Sequence, residues 1–303
     1  MSDSLVATKR RIQTIQSTEK ITKAMKLVAS VKYQKWRKMY EANKGYTQGM
    51  EEVMNITVDS MDFSKIKTPA CLQHFYDTKN LYIIVTSSLG LCGSYNYNIF
   101  RMIDPLLKPD DELLLIGQKG YIHYKESKYI HHDDYLSLMD QFTYNNVKAM
   151  RHYFYRLYRT QLYKTVTLVY TEYRNSLSFV TTMKQLLPLD IDKKKIISSQ
   201  DDDDVTSYDD EMIGYEPIFD PSPEAVADLV LPHYIDATLY SKLIESELSE
   251  QSSRRNAMET ATDSADKIKD SLKIVYNKAR QGAITQEITE VVSGANAGKD
   301  DDD

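Results

Sequence analysis

No run of about 18 consecutive apolar residues occurs in the sequence, which excludes a membrane-spanning helix and hence direct membrane insertion. Cysteine is nearly absent. Cys71 and Cys92 stand in unrelated surroundings, without CxxC spacing or a His/Cys cluster, so neither a disulfide framework nor a zinc site is supported. Free thiols in a reducing compartment are expected. Trp36 is the one tryptophan, and the basic N-terminal segment carries no aromatic-flanked RNA motif, which argues against nucleic acid as a partner. The opening MSDSLVATKRRIQ has neither the apolar core of a secretory signal nor the acid-poor lead of a transit peptide, so a cytoplasmic location is expected.

What is present is a charged, well-solvated chain with a segregated charge distribution. Its 303 residues suffice for two domains, and with 42% hydrophobic and 27% charged residues a single compact core is not expected. Residues 1–58 hold eleven basic against five acidic side chains; residues 190–220 hold eleven acidic side chains, including the run Asp201 to Asp204, against three lysines. A basic segment of this kind fits an acidic protein partner, an anionic surface or merely a solvated helix face.

Five segments follow from the patterning. Residues 1–58 contain no proline, and their apolar positions (Leu5, Ile12, Ile15, Ile21, Met25, Val28, Val31, Trp36) recur at helical spacing. Residues 78–190 change character, with the strand-like runs LYIIVTS (81–87), ELLLIG (112–117) and TVTLVY (165–170) separated by helical stretches. Strands alternating with helices predict a Rossmann-like α/β domain with a largely parallel sheet. SFVTTMKQLLPL (178–189) reads as a further strand or strand pair, and 191–221 as an acidic linker. A last helix is expected over 222–292, capped by Ser222 with Pro223 at its first position, and kinked or broken at Pro232. Residues 293–303 read as a flexible acidic tail.

Two such long helices need a stripe to bury. In the C-terminal segment Met258, Ala265, Leu272 and Ala279 recur every seven residues, with Ala261, Ile268, Val275 and Gly282 three positions behind, an a/d heptad pattern. Ile15, Thr22, Ala29 and Trp36 give the N-terminal helix a weaker, more polar counterpart. The expected architecture is therefore α/β plus long helices: an antiparallel two-helix coiled coil of the terminal segments around a central α/β domain. Opposite net charges of the two segments favour the pairing.

Three motifs add a resemblance. KITKAMKLVAS (20–30) and VYNKARQGAITQEITEVVSG (275–294) closely resemble the N- and C-terminal signatures of ATP synthase gamma subunits. GLCGSYN (90–96) resembles the Gly-Leu-Cys-Gly-Gly-Leu-Asn segment after the family's first strand. The resemblance implies a central rotor shaft of an F-type rotary ATPase, lodged in a ring of alpha and beta subunits. An epsilon-like subunit and a membrane ring are further implied partners. The chain would then be no enzyme itself, bind no cofactor and hold no metal; Mg-ATP and ADP would sit on partner subunits, and the complex would lie at the inner face of the cell membrane. Carried over position by position, the resemblance implies ring contacts at Lys20, Lys23, Met25, Lys26, Cys92, Arg254, Arg280, Gln281, Ile284, Thr285, Ile288 and Val291. With Val292, the last three apolar residues read as a tip turning in an apolar sleeve, where no directional bond must break at each step.

Departures from the family pattern keep two alternatives open. Ser88 and Leu89 stand where the family has Asp-Arg, and Ser94-Tyr95 where it has Gly-Leu. With the acidic segment, these fit a shaft driving a load other than a proton channel. GLCG, between a strand and a helix, also permits a stand-alone nucleotide-binding enzyme with a coiled-coil tether, but it lacks the GxxxxGK[ST] lysine and GxGxxG spacing, so a tight turn or subunit contact is the expected role. His131 and His132 beside Asp133 and Asp134 fall in an expected loop with no second ligand set.

Overall fold

The computed structural model describes residues 2–61, 68–76, 79–189 and 217–297. Most of the expected acidic linker and the final Asp run lie outside the described residues. The chain divides into two compact units, Met1–Val31 with Arg254–Asp303, and Lys32–Ser253. Helix α1 (Ser2–Asp59) and helix α5 (Pro223–Ala297) contribute to both.

The second unit is built on a five-stranded sheet. Strands β1 (Lys79–Val85), β2 (Glu112–Ile116), β3 (Ile130–His132), β4 (Tyr163–Tyr173) and β5 (Phe179–Leu187) lie in the order β3-β2-β1-β4-β5. The first four run parallel, and β5 returns antiparallel to β4. Between them come α2 (Tyr95–Ile103), α3 (Gln118–Tyr124) and α4 (Tyr144–Arg159). Pro105, which has no N–H to give, sits in the 3-10 turn Asp104–Leu106 that finishes α2.

The apolar strand runs are explained by coverage of both faces. Leu81, Ile83 and Val85 of β1 pack into one core with Val147, Met150 and Phe154 of α4, Met54 and Val58 of α1, and Leu231 and Ile235 of α5. The alternate residue Ile84 packs on the other face with Ile99 and Ile103 of α2. A third cluster joins Tyr33 and Trp36 of α1 to Ile244 and Leu248 of α5.

Two expectations need correction. His131 and His132 belong to the edge strand β3, too short at three residues to show a period. The His132 ring bonds Glu112 Oε2 at 2.9 Å, and Glu112 also accepts from the Tyr163 hydroxyl at 2.6 Å and from Lys79. Burial pushes the Glu112 carboxyl up, but these three donors outweigh it and hold it below its ordinary value. Second, α5 does not break at Pro232. Leu231 and Ile235 beside it are fully buried, and His233 Nδ1 bonds the Leu229 carbonyl at 2.7 Å, supplying a donor in the turn that proline disturbs. The start of α5 is as expected, with Ala225 N donating to Ser222 Oγ at 3.3 Å. Its end is not, because the helix continues to Ala297 through residues taken for tail.

A single ion pair fastens α4 to α5. Arg151 Nε and Nη2 meet the two carboxylate oxygens of Asp236 at 2.8 and 2.9 Å, with side chains 6% and 0% exposed. Such a pair is costly to halve and cheap to replace whole. Asp236→Ala is therefore expected to destabilise this unit by about 3–5 kcal/mol, and Arg151→Met with Asp236→Leu to recover most of the loss. Denaturant unfolding followed by Trp36 fluorescence checks this; equal losses in both variants would refute it.

Candidate functional site

In the first unit the two helices pair antiparallel, and their polar links give the register. Thr262 Oγ1 donates to Thr22 Oγ1 at 2.8 Å, Lys269 Nζ to Glu19 Oε2 at 2.6 Å, and Lys26 Nζ to Glu259 Oε1 at 2.8 Å. Among the shielded residues of α1, Leu5, Thr8, Ile12, Ile15, Glu19, Thr22, Lys26 and Ala29 follow an alternation of three and four, with Met25 and Ser30 half-buried at its flanks. On α5 the corresponding residues are Met258, Thr262, Ala265, Lys269, Leu272, Tyr276, Ala279 and Ala283. The expected track Met258, Ala265, Leu272, Ala279 is thus in the seam. Its expected companion is displaced by one residue. Thr262, Lys269, Tyr276 and Ala283 face α1; of the expected companions Ala261 is half-buried, but Ile268 and Val275 are 45% and 54% exposed and Gly282 has open space around it.

Burying Ile268 and Val275 would be worth about 1.5–3 kcal/mol each, so apolar content alone selects the other setting. The polar residues of α1 reverse the choice. Turned towards Ile268, Glu19 and Thr22 would give up their cross-helix bonds to Lys269 and Thr262, keep only Lys23 and the Glu19 carbonyl on their own helix, and set polar groups against an apolar side chain.

The apolar residues left outside form a surface that sequence reasoning had assigned partly to the seam. On α1 they are Ile21, Leu27, Val28 and Val31; on α5, Ile268, Ile274 and Val275. Extended along both helices, the register brings the start of α1 beside roughly residue 284. Beyond it α5 has no α1 opposite, and Ile284, Ile288, Val291 and Val292 are all exposed on a stripe of i, i+4, i+7 spacing. The signal for this outer face was legible in the wrong place: a heptad track too apolar to be solvated, but opposite a seam lined by Thr and Glu.

The twelve residues expected to make contacts divide accordingly. Lys20, Arg280, Gln281, Ile284, Thr285, Ile288 and Val291 are exposed, and Met25 is half-buried. Lys23 and Lys26 are engaged within the chain, Lys23 with Glu19 and, at 4.0 Å, with Asp266. The other two are buried within the chain itself: Arg254 is 7% exposed and Cys92 2%.

Cys92 sits inside the loop between β1 and α2. There Ser87 N donates to Asn96 Oδ1 at 3.0 Å, Asn96 Nδ2 to Ser87 Oγ at 2.7 Å and to Cys92 Sγ at 3.2 Å, and Ser253 Oγ to the Cys92 carbonyl at 2.7 Å. Leu91 and Gly93 both take positive φ, which the tight turn requires. The loop's polar groups are thus engaged in holding a turn, with Leu89 and Leu91 exposed at its crest. Tyr95, in place of the family's leucine, is buried with its hydroxyl 2.8 Å from Ser246 Oγ on α5.

Comparison with known proteins agrees with this geometry. A family model described as ATP synthase matches residues 4–297. The ATP synthase gamma chain of Ureaplasma urealyticum is 35% identical, covering 96% of this chain and 99% of its own. A sodium ion specific ATP synthase gamma chain from Acetobacterium woodii is 31% identical, covering 98% and 99%. A chain in the Euglena gracilis mitochondrial ATP synthase structure (OSCP/F1/c-ring, rotational state 3) superposes with a TM-score of 0.62 over 98% of this chain and 95% of its own; at 18% identity this shows the fold.

The polar links make the coil sensitive to acid. Hydrogen bonds from Lys23 first, then Lys269, hold the Glu19 carboxyl down at about 2, below its ordinary 4.5. A depressed carboxylate stabilises fully above the unfolded value and loses that contribution as pH falls through the folded one. The Glu19 contribution should therefore be complete above pH 4.5 and fade towards pH 2. A carbon-13 NMR titration of this carboxyl is expected to give a midpoint near 2, raised in Lys269→Ala; a midpoint at 4.5 in the parent chain would show the bridge unformed.

Proposed function

Because the chain belongs to the ATP synthase gamma-chain family, we propose that it is the central shaft of an F-type rotary ATPase, turning inside a ring of three alpha and three beta subunits. The observation that carries this reading is the apolar outer face of a two-helix coil, continued by the unpaired end of α5. Exposed apolar side chains recurring along both helices point to a surface against which something else packs. An apolar surface also suits a bearing, because it has no directional bonds to break when it turns.

In this reading Ile284, Ile288 and Val291 turn against an apolar sleeve, with Arg280, Gln281 and Thr285 as polar contacts beside them. Lys20 and Met25 meet the ring along α1. Lys23 and Lys26 act mainly by holding α5, and Cys92 and Arg254 by shaping the surface around them. The chain supplies no catalytic group: Mg-ATP and ADP bind the partner subunits, and the orientation of the shaft biases them by offering each a different contact energy. No helix among the described residues is long and apolar enough to cross a membrane. The shaft therefore reaches the inner face of the membrane through its complex, with a membrane ring and an epsilon-like subunit as companions.

Ile284→Asp with Ile288→Asp places two charges on the proposed bearing. Co-purification with tagged alpha and beta subunits should fall at least about tenfold, since a desolvated, unpaired charge costs more than the 1.4 kcal/mol this represents. Assembly at the parent level would overturn the reading, as would failure of the parent chain to join the ring.

A further inference from the structure

The coil of the first unit has two possible rotational settings of α5, which share the Met258 track and differ by one residue in its companion, a turn of about 50° about the helix axis. In one, Ala261, Ile268, Val275 and Gly282 would share the seam with the Met258 track. In the other, which the structure shows, Thr262, Lys269, Tyr276 and Ala283 do. The sequence thus presents a more apolar track that is left outside and a more polar one that is taken in.

We propose that Glu19 and Thr22 are positioning residues that select this setting, and thereby hold Ile268 and Val275 facing outward. Four observations converge on one short stretch. Thr22 and Thr262 are both 7% exposed and hydrogen-bonded to each other across the seam, and each hydroxyl also reaches a carbonyl of its own helix, Glu19 at 3.0 Å and Met258 at 2.8 Å, so the cross-helix bond adds a direction that the backbone bonds alone do not give. Lys269 reaches Glu19 with its side chain 15% exposed, and Asp266 holds it from the other side. Lys26 and Glu259 repeat the pairing two turns along α1, with the charges exchanged between helices. Ala29 and Ala265 are buried in the same stretch and offer too little apolar bulk to dictate a setting themselves. A buried polar pair that gives up stability to fix the arrangement of a coiled coil is a well-attested use of such residues.

The consequence rests on the proposed shaft function. The outward Ile268 and Val275 place apolar side chains on the surface of α5, so the setting of α5 decides what surface the ring meets. A rotated α5 would offer Lys269 and Tyr276 instead.

The test reads the setting directly, in the full chain without any partner, so its outcome does not depend on whether the ring binds. Single cysteines are introduced as Val275→Cys or Tyr276→Cys and labelled with a soluble maleimide. Native Cys71 and Cys92, 1% and 2% exposed, stay silent while the chain is folded. In the parent, position 275 should label about tenfold faster than position 276, as expected of an exposed site against a seam site. In Thr22→Val with Glu19→Leu, which removes the cross-helix partners of Thr262 and Lys269 and leaves them only Met258 and Asp266 on their own helix, the order should invert. In Thr22→Ser with Glu19→Gln, which keeps a hydroxyl and an acceptor, the parent order should return. Circular dichroism checks that each variant remains helical. Parent-like labelling in a helical Thr22→Val/Glu19→Leu chain would overturn the proposal. If that variant does not fold, Glu19→Leu alone should bring the ratio towards unity, and an unchanged ratio there is equally fatal.

Discussion

A helix of 58 or 75 residues has more backbone to order than its own hydrogen bonds can sustain in water, so each must bury a stripe along much of its length. That constraint organises both units. In the α/β unit, α1 and α5 cover one face of the sheet with ordinary apolar packing, and the core formed there is rich in Leu, Ile and Val. In the other unit the stripes face each other, and the seam is narrow, small and partly polar. The same two helices therefore use the hydrophobic effect in one place and paired polar groups in the other.

This difference explains what was legible in the sequence. The long helices, the parallel strands and the return of β5 were visible because each has a period or a run longer than its noise. The seam of α5 was read half correctly. Met258, Ala265, Leu272 and Ala279 were placed where they belong, but counting apolar residues put Ile268 and Val275 beside them. The error was informative, because heptad reading assumes that apolar side chains seek the partner helix. Here Lys269 and Thr262 do so, because their partners on α1 are Glu19 and Thr22. Reading the two helices as a pair of patterns would have exposed the mismatch.

The remaining misses have local causes. β3 is three residues long and held by its neighbours, and no period can be read from three residues. Pro232 signals a break, yet the buried residues on both sides of it keep the helix intact. Among the expected contact residues, burial separated Cys92 and Arg254 from the exposed α5 end, a distinction that motif resemblance does not carry. A matching motif gives a residue's place in the chain; whether the side chain faces outward depends on the rest of the fold.

The stretch of α5 that crosses the α/β unit has a face of small hydroxyl and carboxylate residues. Ser246 Oγ accepts from Thr171 N, Glu245 from Tyr173 N, while Ser252 and Ser253 donate to the carbonyls of Ser176 and Cys92. Apolar side chains packed against a sheet can slide past it with little loss, but directional bonds to fixed backbone groups at several heights along a helix cannot. This stretch of α5 is keyed to β4 and its flanking loops, so a twist applied to it is handed to the sheet rather than lost as slip. In a part that must transmit torque, that resistance to turning in its seat matters as much as stability against unfolding.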